Sequence, residues 1–324
     1  MQRQIITTAF LLVSLIFPIK VLAKDYDNIY VFGDSLSDIG NVFNATNGII
    51  PPSPTYYDGH FSNGPNWVDY LASDLGLTSN LKNNFAFGGA TTGIENIGLA
   101  TLPGLQQQIN NFVAAETADP NALYIIWAGT NDYLSYFFDG EPNPSNTVAN
   151  LSTALTSLVA DGAKDIMVVN LPDLGKSPFA NFTSERSNLF STFSSEHNSS
   201  LNTELKTLSQ QLSPDINIIE LNVNSLFDRI VAAPEEFDFT NVTNSCISKD
   251  LSVVPIDVPT QQVFCNPEEF LFWDEVHPTT TAHKLIGELA FSALQPVPEA
   301  SAGLGILAYS ILGAVSLLKR KITN

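Results

Sequence analysis

The stretch NIYVFGDSLSDIGN, residues Asn28 to Asn41, sets a short apolar run directly ahead of a serine flanked by Asp34 and Asp38. Asn28 to Phe32 has the length and composition of a buried strand, so Ser35 falls just past a strand end, where the chain turns toward its next element. Three later runs share that character: Ala122 to Ala128 (ALYIIWA), Asp165 to Asn170 (DIMVVN) and Ile216 to Leu221 (INIIEL). Between and after them stand helical patterns at Trp67 to Leu75, Leu105 to Ala115, Thr147 to Asp161 and Ser187 to Leu212. Strands alternating with helices predict an α/β fold whose central parallel sheet is covered by helices on both faces. Ligands of such sheets bind beyond the carboxyl ends of the strands, which is the position of Ser35. Ala233 to Asn266, without clear periodicity, is expected to form a lid or rim.

The ends of the chain differ from its body. Arg3, the apolar stretch Ala9 to Phe17 and the small-residue site Val21-Leu22-Ala23 read as an export signal covering residues 1–23. Ser301 to Leu318 contains no charged residue and is followed by Lys319-Arg320-Lys321. Eighteen residues at helical rise nearly match the roughly 30 Å hydrocarbon core, and the basic flank favours the cytoplasmic side. An exported body, membrane-anchored by its tail, is therefore expected. Residues 24–298 carry 9 of the 14 Lys and Arg and 32 of the 33 Asp and Glu, a formal charge of −23. Such a surface repels phosphate at long range, which speaks against DNA or RNA as a partner.

The two cysteines, Cys246 and Cys265, are free to pair in an exported chain, and a loop of this size would contribute about 3 kcal/mol; two buried thiols are the alternative. No histidine stands at zinc-ligand spacing from either. Neither a metal nor another cofactor is expected.

Ser35 lacks the G-x-S-x-G setting of a common hydrolase elbow, which leaves three readings: a nucleophile, part of a phosphate or metal site, or a turn residue. A nucleophilic hydroxyl needs a base held by a third group. His197, in SSEHNSS, reads as part of an exposed helix face; His60, in YDGHFSNG, lies in a loop; His283 lies in a helix starting near Pro278. His277 in FWDEVHPTTTAH stands in a turn three residues after Asp274, a spacing that lets the carboxylate accept the Nδ1 proton and leaves Nε2 outward. Donors for a developing oxyanion are available in NFAFGGATTG, Asn84 to Gly93, and in AGTND, Ala128 to Asp132, where Asn131 offers an amide.

The blocks GDSLSDIGN, NFAFGGATT, AGTND and DEVHP follow the order and approximate spacing of the SGNH or GDSL hydrolases, and the chain from about Tyr30 to Ala293 resembles that family of serine esterases and lipases. The resemblance implies a flavodoxin-like three-layer α/β/α domain over residues 24–296. It also implies Ser35 as nucleophile, His277 as general base and Asp274 as its orienting acid. Three oxyanion donors follow from it as well: the Ser35 and Gly89 backbone N–H groups and the Asn131 amide. CNPEEFLFWDEVHP resembles the lead-in to the last block in many relatives, and its cysteine supports a bridge to Cys246. His60 stands where relatives often carry arginine. Residues 297–324 resemble a PEP-CTERM sorting signal: Val297-Pro298-Glu299, an apolar span, then basic residues, with Ala300 in place of the usual second proline. A sorting peptidase acting near Pro298 is the partner this implies.

The reaction expected is hydrolysis of a carboxylic ester, small or lipid, by a lipase, a general esterase, a carbohydrate acetyl esterase or a phospholipase. A phosphate-ester hydrolase using Asp34 is weakened by Leu36, which occupies the place of the second aspartate such enzymes use. A silent anchored binding protein is the non-enzymatic alternative. Phe85, Phe87, Trp127, Tyr133, Tyr136, Phe137 and Phe138 are compatible with an acyl-chain groove and equally with the core beside the strands.

Overall fold

The computed structural model describes residues 24–136, 142–247, 263 and 265–295. The expected export signal, the expected tail anchor, and Phe137 and Phe138 all lie outside the described residues. Among the described residues, no helix is long and apolar enough to cross a membrane.

Four parallel strands form the sheet in the order β1 (Ile29–Gly33), β2 (Leu123–Trp127), β3 (Asp165–Val169) and β4 (Asn217–Leu221). Every residue of β2 and β3 is buried, which accounts for their near-continuous apolar sequence. β4 is half-buried along most of its length, as an edge strand is. On the other side of β1 runs a short segment read from sequence only as a glycine-rich loop. Val31 N–H donates to Asn83 O at 2.9 Å, Phe85 N–H to Val31 O at 2.7 Å and Phe87 N–H to Gly33 O at 3.1 Å. The chain thus leaves β1 to one side, returns past it, and continues to β2. The resulting switch point opens a crevice at the carboxyl end of β1.

Layers of helix cover both faces. Alternate strand residues Phe32, Tyr124, Ile126, Ile166 and Val168 pack against α3 (Leu105–Ala115), α5 (Pro144–Asp161) and α6 (Ser184–Gln211), with Ile109, Phe112, Leu155 and Leu205 among the contacts. Trp127 points to the other face and meets Trp67 of α2 (Trp67–Asp74) edge to face at 5.4 Å. There α2 also lies close against α8 (Thr280–Leu294), where a methyl group at Gly287 would come within 2.7 Å of Tyr70 Cβ. This three-layer α/β/α arrangement agrees with the sequence reading. Residues Asp25–Ala293 form one compact unit.

Capping chemistry set the helix starts that periodicity left open. α5 begins at Pro144, three residues before the expected Thr147, because Asn143 accepts from Ser145 N–H and proline at the first turn has no N–H to satisfy. α6 begins at Ser184 under a Thr183 cap rather than at Ser187. The described part of Ala233 to Asn266 is not irregular throughout. It holds a 3-10 turn, Pro234–Phe237, and β5 (Asn241–Ser245), which pairs in parallel with β6 (Phe270–Phe272) as a small second sheet. Cys246 and Cys265 are joined by a disulfide beside it, with Cα atoms 5.2 Å apart.

Candidate active site

Ser35 sits in a turn built by its own neighbours. Asp34 accepts from Leu36 N–H through Oδ1 at 3.0 Å, and its backbone carbonyl accepts from Ser37 and Asp38 N–H. Asp38 gathers four backbone donors: Gly40, Asn41 and Val42 at the start of α1 (Asn41–Ala45), and Gly88 from the glycine-rich segment at 3.0 Å. Both carboxyls are buried, and burial raises the pKa of each; for Asp34 it reaches about 7. Among the described residues, Asp34 Oδ2 has no hydrogen-bond partner.

The two donor blocks are stitched to this turn. Asn84 Nδ2 donates to Ser37 O at 2.8 Å, while Asn96 bridges Gly88 O and the Gly98 N–H at 2.9 Å each. Gly89 holds φ of +82°, and a Cβ there would lie 2.6 Å from Asn96 Oδ1, so only glycine fits. Asn131 opens toward the same place from α4 (Thr130–Leu134), with its amide donating to Ala90 O at 2.9 Å. Asp132 beside it takes the Thr92 N–H and Oγ1–H; burial raises its pKa to about 6.

His277 and Asp274 come from the hairpin that leads from β6 into α8. Trp273 N–H donates to His277 O, Thr279 N–H to Leu271 O, and Asp274 Oδ1 accepts the N–H groups of Val276 and His277 at 2.9 and 2.8 Å. The side chains then align. Asp274 Oδ2 lies 2.7 Å from His277 Nδ1, and His277 Nε2 lies 2.8 Å from Ser35 Oγ. Asp274 is 1% exposed, so its charge is poorly screened by water.

Ser35, Gly89, Asn131 and His277 line one cavity of about 420 Å³, mostly apolar, with Leu36, Phe61, Ile97, Leu134, Phe227 and Val231 among its walls. Lys176 reaches its rim, 2.8 Å from Asp228 and 3.8 Å from Asp173. Of the expected aromatic groove, Trp127 alone among the described candidates lines this cavity. Phe85 packs on Phe32 and Phe112, and Tyr133 is fully buried against Phe193, because both face helices rather than the strand ends. Sequence reasoning missed Leu134, Phe227, Val231 and Phe61, whose positions depend on how α4, α7 (Val223–Ala232) and the loop before α2 converge.

The other histidines lie elsewhere. His60 is buried, with Nε2 2.8 Å from Asp69 Oδ2, and the bonded carboxylate raises its pKa despite burial. His197 is not on an exposed face: it is fully buried, its Nδ1 is 2.9 Å from Tyr133 Oη, and burial lowers its pKa to about 4. The polar sequence around it belongs to the outer side of α6, while His197 falls on the inner stripe with Phe193 and Leu201. Burial lowers the pKa of His283 to about 3.

The fold and the site define an α/β protein of SGNH-hydrolase architecture. The chain belongs to the GDSL-like Lipase/Acylhydrolase family, whose model matches residues 29–290. It is 29% identical over 310 residues to a phosphatidylcholine-sterol acyltransferase of Aeromonas hydrophila, covering 83% of this chain and 90% of that protein. A thermolabile hemolysin of Vibrio parahaemolyticus is 32% identical over 273 residues, covering 81% of this chain and 62% of the hemolysin. A solved structure of a lipolytic protein of the G-D-S-L family from Veillonella parvula aligns with 82% of this chain and 96% of its own, at 15% identity and a TM-score of 0.43.

Proposed function

We propose that this chain hydrolyses carboxylic esters through an acyl-enzyme on Ser35. The observation that carries the reading is the continuous path from Asp274 through His277 to Ser35 Oγ, with spacings of 2.7 and 2.8 Å, at the rim of an apolar cavity. His277 Nε2 takes the Ser35 proton as Oγ attacks the ester carbonyl carbon. The carbonyl oxygen becomes an oxyanion, held by the Ser35 and Gly89 N–H groups and the Asn131 amide. His277 then gives its proton to the leaving alcohol as the C–O bond breaks. Water, deprotonated by the same imidazole, attacks the acyl-enzyme, and the carboxylic acid leaves. Asp274 keeps Nδ1 protonated and stabilises the imidazolium throughout.

The walls Leu36, Phe61, Ile97, Leu134, Phe227 and Val231 favour an acyl chain over a polar group as the buried part of the substrate. Acyl transfer to an alcohol instead of water uses the same intermediate, and the 90% coverage of the Aeromonas acyltransferase supports it as the second reading. Supplying an alcohol acceptor and looking for the new ester separates the two. Export, with a tail that anchors the body or is cleaved near Pro298, is proposed on the terminal segments alone; the terminal masses of the protein recovered from cell fractions test it.

Labelling with a serine-directed fluorophosphonate, followed by peptide mass spectrometry, tests the reaction class. The adduct is expected on Ser35, absent in Ser35→Ala and retained in Ser37→Ala. An adduct on any other residue rejects the assignment.

A further inference from the structure

The proposed cycle uses the side chains of Ser35, His277, Asp274 and Asn131 and leaves a fifth, buried on the acid, without a role. Tyr56 Oη–H donates to Asp274 Oδ2 at 2.6 Å across 218 residues of sequence. That oxygen is the nearer of the two to His277 Nδ1, at 2.7 Å against 2.9 Å for Oδ1, which also takes the turn N–H groups of Val276 and His277. Tyr56 is 3% exposed, so its hydroxyl has no bulk water to turn to.

The ring is fixed from several directions. Trp273 meets it edge to face at 6.4 Å, and Phe61, which also packs on the His277 ring at 5.3 Å, meets it at 6.5 Å. Tyr56 shares a buried cluster with Cys246, Ile247 and Trp273, against which Cys265 packs. Ile247 N–H donates to Trp273 O at 2.9 Å, one residue before Asp274. Burial, and then the Asp274 charge, push the phenol pKa well above its ordinary value, so the hydroxyl remains a donor wherever the enzyme works.

We propose that Tyr56 is a positioning residue for the acid: its hydroxyl holds Asp274 Oδ2 in the plane that His277 Nδ1 requires and shares the carboxylate's charge. The inference rests on the roles given above to Ser35, His277 and Asp274. Removing the phenol leaves Asp274 a stronger acceptor toward Nδ1–H, so the imidazolium is held more tightly and releases its proton to the leaving alcohol less readily. It also frees the carboxylate to swing. The titratable groups around this bond are His277 from the hairpin, Glu275 beside it and Tyr56 itself, while Asp34 from the end of β1 and His283 from α8 act on the His277 ring through charge.

The test is the pH profile of the purified full chain on a simple acyl ester. Tyr56→Phe is expected to lower plateau kcat about three- to tenfold with KM within about twofold, and to move the acid limb of kcat/KM up by about half a pH unit. Placing 3-fluorotyrosine at position 56 keeps the packing, strengthens the donor and is expected to move the acid limb the other way, which keeps the test open if the phenylalanine variant folds poorly. The low-field proton resonance of the His277 Nδ1–H should shift in both. Wild-type protein labelled at Ser35, with an unmoved acid limb in the fluorotyrosine protein, overturns the role of Tyr56 alone. Wild-type protein not labelled at Ser35 overturns both readings.

Discussion

His277 Nε2 stands 2.8 Å from Ser35 Oγ although 242 residues separate them in sequence. One comes from the end of the first strand of the main sheet and the other from the hairpin before the last helix. Asp274→Asn preserves side-chain size and an acceptor for the turn N–H groups, yet presents an amide to Nδ1 and favours the wrong tautomer. Its kcat is expected to fall by about three to four orders of magnitude with an unchanged melting temperature. Steady-state rates beside a thermal melt check this, and a variant retaining a tenth of wild-type activity would refute the role.

In the proposed cycle, neutral imidazole is the form that accepts the Ser35 proton. Below the midpoint of the acid limb, kcat/KM is expected to fall about tenfold per pH unit. A profile on a neutral ester without any acid limb would remove His277 from the mechanism.

Gly89 combines a left-handed backbone with a wall of backbone and amide atoms where a Cβ would sit. Gly89→Ala must therefore shift the segment that carries its N–H. Losing one oxyanion donor costs about 2.7 to 4 kcal/mol of transition-state stabilisation, so kcat should fall about a hundred- to a thousandfold while KM changes little. A fall confined to KM would assign the segment to substrate binding instead.

His197 and His283 are held neutral by burial, with pKa values lowered to about 4 and about 3. The unfolded chain binds their protons first, near pH 6.5, so each makes the native state lose stability as pH falls from about 6.5 toward its folded pKa. For His197 the full loss is on the order of 3 kcal/mol. Urea unfolding of His197→Gln between pH 7 and pH 4 should show a shallower decline than wild type, even if it starts from a lower value for want of the Tyr133 bond. Parallel declines would contradict the assignment.

The disulfide supplies a further measurement. Cys246→Ser paired with Cys265→Ser is expected to cost about 3 kcal/mol in unfolding free energy by the loop-entropy argument. A loss below about 1 kcal/mol would mean that the surrounding cluster holds the loop unaided.

Much of the fold was legible because β2 and β3 are buried on both faces and must be apolar throughout, while α3 and α5 bury one stripe each. What escaped was structure made by long-range pairing. Asn83 to Phe87 lies beside β1 through three backbone hydrogen bonds that no side-chain pattern announces, and β5, NVTNS, is a polar strand completed only by β6. The site divides in the same way. Ser35, Gly89, Asn131, Asp274 and His277 stand in short blocks whose spacing is visible, and the structure brings four of them to one cavity with Asp274 buried behind His277. Tyr56, Phe227 and Val231 were invisible because they reach the site from segments with no motif of their own. His197 misled because a polar neighbourhood in a helix says nothing about the single inward position within it.

Asp274 and His277 hang from the two-stranded sheet pinned by the disulfide, whereas Ser35 belongs to the main sheet. The proposed chemistry thus depends on the register between two sheets of one compact unit, the two-stranded one being the smaller piece. On heating, the smaller piece should drift first, so turnover should vanish several degrees before the bulk of the helical signal is lost. A protein in that interval would be folded, silent and restored by cooling.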